Sequence, residues 1–124
     1  MVENKLDLIF KAYDVRGIYG QTLTNDIAYN IGTAFSQFVE SETIIVGHDG
    51  RNSNEEIFKC VAAGIISNNK KVFYIGTVPT DVVYSLSGLM NLPGMIITAS
   101  HNPKDWNGFK SVSYTHLRAH ETRI

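Results

Sequence analysis

Residues 43–76, TIIVGHDGRNSNEEIFKCVAAGIISNNKKVFYIG, decide the fold. Ile44-Ile45-Val46 is a β-branched run closed by Gly47, the pattern of a buried strand. Ser53-Asn54-Glu55-Glu56 matches a capping box, with serine at the cap and glutamate three residues on. Ile57, Phe58, Val61, Ala62, Ile65 and Ile66 then recur at helical spacing, and Asn68 and Asn69 supply a stop. Val72 to Ile75 reads as a second strand, ended by Gly76. Strand, helix and strand with short joints make one parallel crossover unit.

The pattern extends in both directions. Upstream, residues 10–14 read as a short strand, turned at Arg16-Gly17. Ile27, Ile31, Ala34, Phe35, Phe38 and Val39 then mark a helix with Thr24 as its N-cap. Downstream, Pro79-Thr80 opens a short helix through Val82, Val83 and Leu86, expected to halt near Gly88. Gly94-Met95-Ile96-Ile97-Thr98 closes the series as a strand. Four strands alternating with three helices predict an α/β layer with a mostly parallel sheet. Functional loops are expected at the carboxyl ends of its strands.

Composition narrows the function classes. The chain has 124 residues, 44% hydrophobic and 19% charged, enough for one domain with a core. A net charge of −1 favours neither nucleic acid nor a membrane surface as partner. No stretch is apolar enough to span a bilayer, and the polar, acidic N-terminus does not read as a signal peptide. Cys60 is the single cysteine, which fits a reducing, cytoplasmic setting.

Four loops carry candidate chemistry. Tyr13-Asp14-Val15-Arg16-Gly17 presents an arginine that, taken alone, reads as a surface or structural one. Gly47-His48-Asp49-Gly50-Arg51 follows a strand directly; an aspartate and an arginine two apart there fix a loop by a salt bridge, with His48 a partly exposed bystander. Gly76-Thr77-Val78-Pro79-Thr80 leads into a helix whose free N–H groups hold either an anion or only their own cap. The fourth, Thr98-Ala99-Ser100-His101-Asn102-Pro103, sets a serine, a histidine and an asparagine at a strand end, with Lys110 ten residues on. A serine there suits a nucleophile. The Gly-x-Ser-x-Gly elbow of serine hydrolases, the Walker phosphate loop and clusters of metal-ligating cysteine and histidine are all absent from the sequence.

Together these loops resemble the first domain of the α-D-phosphohexomutases, phosphomannomutase/phosphoglucomutase branch. Phe10-Lys11-Ala12-Tyr13-Asp14-Val15-Arg16-Gly17 is similar to the family's opening motif, and Gly47-His48-Asp49-Gly50-Arg51 to its second loop. Thr98 to Pro103, followed by Asn107-Gly108-Phe109-Lys110, resembles its phosphoserine loop, the most specific of the three. Asp81 departs from the proline usual after Pro-Thr, at a structural turn. The resemblance implies a three-layer α/β/α domain with a four-stranded mixed sheet. It implies interconversion of hexose 1-phosphate and hexose 6-phosphate through a phosphoserine and a bisphosphorylated sugar, which also serves as activator. Ser100 would carry the phosphoryl group, Lys110 would act as general acid/base and charge partner, and Arg16 would contact the phosphoryl group. Tyr13, His101 and Asn102 would line or shape the site. Mg²⁺ would meet Ser100 through its phosphate, together with three aspartates of an Asp-Gly-Asp-Gly-Asp-Arg loop that this sequence lacks. Two other readings are a non-catalytic phosphosugar-binding module and phosphoglucosamine mutase; Lys11-Ala12-Tyr13 speaks against the latter.

The last residues change character. Residues 112–122, Val-Ser-Tyr-Thr-His-Leu-Arg-Ala-His-Glu-Thr, resemble one translated frame of an adapter used in preparing DNA-sequencing libraries. The expectation is a truncated domain over residues 1–110 and a non-native tail over 111–124, with the C-terminal domains missing and no turnover by this chain alone. His116, His120 and Glu121 are then not a metal site.

Overall fold

A computed structural model describes residues 14–112. Its elements are β1 (Asp14–Ile18), α1 (Asn25–Phe38), β2 (Thr43–His48), α2 (Asn54–Ile66), β3 (Lys71–Thr77), α3 (Thr80–Met90), β4 (Gly94–Ile97) and β5 (Trp106–Val112). They form one mixed sheet in the order β1-β5-β4-β2-β3. β2 runs parallel to β3 and β4, while β5 is antiparallel to β4 and β1.

The α/β/α class stands, but the sheet has five strands where four were expected. The additional strand is β5, whose Asn107-Gly108 reads as a turn in isolation. Pairing on both sides overrides that local preference, and Phe109 is buried beneath the helices. The described part of the first strand runs from Asp14 to Ile18, so Arg16-Gly17, expected as its turn, lie within it; residues 10–13 fall outside the described range.

Two helices cover one face of the sheet and one covers the other. Phe35 from α1 and Ile57, Val61 and Ile65 from α2 pack on Ile44, Val46, Met95, Ile97 and Phe109. On the opposite face Val83 of α3 meets Ile45 and Ile96. There α3 exposes Val82, Tyr84, Leu89 and Met90. The α1–α2 seam closes backbone to backbone. A Cβ on Gly32 would lie 2.3 Å from the Val61 carbonyl oxygen, and one on Gly64 2.3 Å from that of Tyr29.

Helix ends follow the sequence in part. The Thr24 hydroxyl accepts the Ile27 N–H at 3.3 Å, as expected of an N-cap. The capping box at Ser53 does not form: Ser53 is helical in backbone and its hydroxyl accepts the Asn107 amide instead, at 2.7 Å. α3 runs past Gly88 to Met90, where Asn91 turns left-handed at φ 59°. β3 continues beyond Gly76 through a bulge, with Ile75 unpaired between Tyr74 and Gly76 and Gly76 at φ 81°.

Candidate active site

Three segments meet at the carboxyl edge of the sheet: the end of β1, the loop between β2 and α2, and the loop between β4 and β5. The register places Arg16 opposite Gly108, and the Thr98 N–H bonds to the Gly108 carbonyl at 2.9 Å. Arg16, Gly108 and Thr98 therefore lie side by side across three strands. β5 returns Lys110 to the same sheet face as Arg16, opposite Ile96.

Beneath the β4–β5 loop sits a polar network built on Asp49. The Thr98 hydroxyl donates to Asp49 Oδ2 at 2.7 Å and accepts the Ser100 N–H at 2.9 Å. Asp49 Oδ1 accepts the Arg51 N–H at 3.2 Å and Asn54 Nδ2 at 2.9 Å. Asn107 Nδ2 donates to Asn54 Oδ1 at 2.7 Å, and Asn107 Oδ1 accepts the Gly108 N–H at 2.9 Å. Asn54, Thr98 and Asn107 are all buried, so each bond replaces water that cannot enter. Burial pushes the Asp49 carboxyl up, but hydrogen bonds from Asn54, Thr98 and Arg51 outweigh it and hold the group below the usual carboxylate range.

Arg51 forms the expected salt bridge, Nε to Asp49 Oδ2 at 3.1 Å, and reaches further than its spacing suggests. Nη1 donates to the carbonyls of Pro103 at 2.7 Å and Trp106 at 3.2 Å. Nη2 donates to those of Ser100 at 2.7 Å and Asn102 at 3.0 Å. Arg16 approaches the same loop from β1, where Nη1 donates to Asn102 Oδ1 at 2.5 Å and to the Ala99 carbonyl at 3.4 Å.

Ser100 is half-buried between these arginines, with its backbone left-handed at φ 55°. Its N–H and C=O are both bonded, while its hydroxyl meets no hydrogen-bond partner among the described residues. Of the residues singled out from sequence, the structure gathers Ser100, Asn102 and Arg16. Lys110 is half-buried on β5 and His101 is exposed; neither is bonded to the serine among the described residues. Tyr13, His116, His120 and Glu121 lie outside the described range. His48 is partly exposed, as expected, and its ring bonds the Asp49 carbonyl and the Tyr74 hydroxyl, each at 2.7 Å. Thr98, Asn54 and Asn107 were not singled out. Their partners lie about 50 residues away in sequence, a separation that no local pattern reports.

Among the described residues, no group of three or more His, Cys, Asp or Glu is placed to hold a metal ion. Asp49, linked to the Ser100 N–H through the Thr98 hydroxyl, has both oxygens committed to Thr98, Arg51 and Asn54. These residues do not by themselves fit a divalent cation, which takes several oxygen ligands. An open cleft of about 340 Å³ adjoins the loop, lined by Asp49, Gly50, Arg51, Asn52, Asn102 and Lys104. No helix among the described residues is long and apolar enough to cross a membrane.

The model for the α/β/α domain I of phosphoglucomutase/phosphomannomutase matches residues 7–122. A phosphomannomutase of Vibrio cholerae is 41% identical over 109 residues, covering 83% of this chain and 24% of its own length. A phosphomannomutase/phosphoglucomutase of Pseudomonas aeruginosa is 42% identical over 108 residues, covering 84% and 23%. The crystal structure of a phosphoglucomutase/phosphomannomutase family protein from Burkholderia thailandensis superposes with a TM-score of 0.75 at 33% identity, over 94% of this chain and 30% of that one. The chain thus spans about a quarter of the length of these curated relatives.

Proposed function

The chain belongs to the phosphoglucomutase/phosphomannomutase family by its domain I, and from that premise we propose that it is the phosphoserine-bearing domain of a cytoplasmic phosphohexomutase. Ser100 holds a phosphoryl group and passes it to a hydroxyl of a hexose 1- or 6-phosphate. The Ser100 Oγ–P bond breaks, a bond from phosphorus to the sugar oxygen forms, and the proton of the sugar hydroxyl ends on the departing Oγ. The bisphosphorylated sugar then returns its other phosphoryl group to Oγ. Such transfer asks the protein mainly for alignment and charge neutralisation.

One observation carries this reading. The Ser100 N–H and C=O are both bonded, its hydroxyl has no partner among the described residues, and Arg16 bonds the carbonyl of the residue before it, Ala99. Arg16 supplies positive charge next to the transferred group, and Lys110, on the same sheet face, is proposed as proton carrier and second cation. His101 and Asn102 shape the loop, with Asn102 also tying it to Arg16, and Tyr13 is proposed to line the site. Family membership is consistent with a metal-dependent enzyme. Mg²⁺ would supply further charge neutralisation; among the described residues it would meet the phosphate on Ser100, and its carboxylate ligands are proposed to come from domains beyond this chain. Those domains are also proposed to complete the hexose phosphate site. Residues 1–110 are proposed as the domain proper and residues 111–124 as foreign to it.

The test is a chimera in which residues 1–110 replace the matching segment of the Pseudomonas aeruginosa relative. After incubation with a hexose bisphosphate, mass spectrometry should find phosphate on Ser100, and Ser100→Ala should abolish mutase turnover. Full turnover by Ser100→Ala would overturn the reading.

A further inference from the structure

We propose that Arg51 is the positioning residue of the serine loop: its guanidinium fixes the Ser100 backbone in the left-handed region and thereby aims the hydroxyl for phosphoryl transfer. The functional half of this statement rests on the reading of Ser100 given above; the structural half does not.

A guanidinium has five N–H donors. All five of Arg51 are spent inside the protein: one on Asp49 and four on the carbonyls of Ser100, Asn102, Pro103 and Trp106. Its side chain is only 11% exposed. Arg51 therefore has no donor left for a phosphoryl group and cannot serve as an anion ligand without releasing the loop. Arg16, by contrast, is exposed.

Besides Arg51, the loop is held by the Thr98 hydroxyl on the Ser100 N–H, by Arg16 on Asn102 and the Ala99 carbonyl, and by the Tyr19 N–H on the Asp105 carbonyl. Its internal backbone bonds are Asn102 N–H to the Ala99 carbonyl and Trp106 N–H to the Pro103 carbonyl. A serine at φ 55° is a conformation that non-glycine residues adopt seldom, and only where surroundings impose it. The Arg51 bond to the Ser100 carbonyl is such an imposition, made on the residue itself. It also orients dipoles. All peptides here are trans, so each N–H points opposite to the carbonyl of its own peptide unit. With the Ser100 and Pro103 carbonyls turned onto Arg51, the N–H groups of His101 and Lys104 are directed away from it. Neither has an acceptor among the described residues. Arg51 thus frees two backbone donors near a phosphoryl group that it does not touch. Lysine cannot substitute, because a single ammonium cannot match four carbonyls in the plane of a fork.

The test uses nuclear magnetic resonance on the 124-residue chain. In the unmutated protein the Arg51 Nε–H and Nη–H protons should exchange with water at least about tenfold more slowly than those of Arg16. In both Arg51→Lys and Arg51→Met, the Ser100 Cα and Cβ shifts should leave their left-handed values. Amide exchange at Asn102 and Trp106 should accelerate at least about tenfold relative to Ile45 and Ile97. In the chimera, Arg51→Lys should lower kcat at least about tenfold with KM within about threefold, since no substrate contact is removed. Equal exchange of the two arginines in the unmutated protein overturns the proposal even if no variant folds. So do unchanged Ser100 shifts in Arg51→Met, or full rescue by lysine. If Ser100 is never phosphorylated, only the functional reading falls, and the resonance measurements still decide the clamp.

Discussion

The α1–α2 seam and the serine loop both bring one stretch of backbone close to another, by opposite means. At the seam, side chains are deleted: Gly32 and Gly64 let carbonyls of the facing helix approach to where a Cβ would sit. At the loop, side chains are inserted: Arg51, Thr98, Asn54 and Asn107 fill the gap with hydrogen bonds. Steric closeness yields a rigid base with no tolerance for added atoms. Polar bridging can hold a residue in a backbone conformation it would not choose, because directional bonds over-determine it. A seam built like the loop would waste buried polar groups; a loop built like the seam could not strain its serine.

Substitutions test this contrast, the strongest at the seam. Gly64→Val drives atoms into the Tyr29 carbonyl and the Thr33 backbone and should cost about 4 kcal/mol or more, visible as loss of a cooperative thermal transition by circular dichroism. A Gly64→Val protein that melted normally would show that the helices can slide apart, and the contrast would fail. Next comes the footing of the loop. Asn107→Ala leaves Asn54 Oδ1 and the Gly108 N–H unpaired in a buried place and should lower stability by about 2 kcal/mol, read from the denaturant midpoint at unchanged slope.

A smaller effect is expected from acid. Asp49 is held below its ordinary range when folded, so its contribution to stability is complete above the unfolded carboxylate value of about 4. That contribution fades as pH falls through the folded value. The gap in melting temperature between the native chain and Asp49→Asn should therefore be widest near neutrality and narrow below about pH 4. A gap independent of pH would remove Asp49 from the loop's support. The smallest effect has the sharpest meaning: Ser100→Gly relieves the left-handed backbone and should stabilise the chain by about 0.5 kcal/mol, after the entropy of an added glycine is discounted. Ser100→Ala, with the hydroxyl gone and the strain kept, should show no such gain.

How much of this was legible depended on range in the sequence. β2, α2 and the α1 cap were legible because β-branched runs, helical periodicity and a threonine cap act on near neighbours. The Asp49–Arg51 pair was legible at two residues' separation. β5 was not, because Trp106-Asn107-Gly108 has no strand character until β1 and β4 flank it. Ser53 misled for a related reason: it fits a capping box locally, but Asn107 claims its hydroxyl from 54 residues away. The serine loop was recognisable by its motif, whereas its clamp acts on main-chain carbonyls, which leave no mark on residue identity. Lys110 was identified from the motif, yet its place on the Arg16 face of the sheet follows only from the register.

Among the described residues, β1 is joined to the sheet through β5 alone. During synthesis the strand bearing Arg16 leaves the ribosome about 90 residues before its partner, so it cannot dock until nearly the whole domain has emerged. That long wait raises contact order, slows the last step of assembly and leaves an unpaired edge open to wrong neighbours. Arg16 is thus among the last pieces to dock, and a nascent chain does not bring it to the serine loop until β5 is laid down.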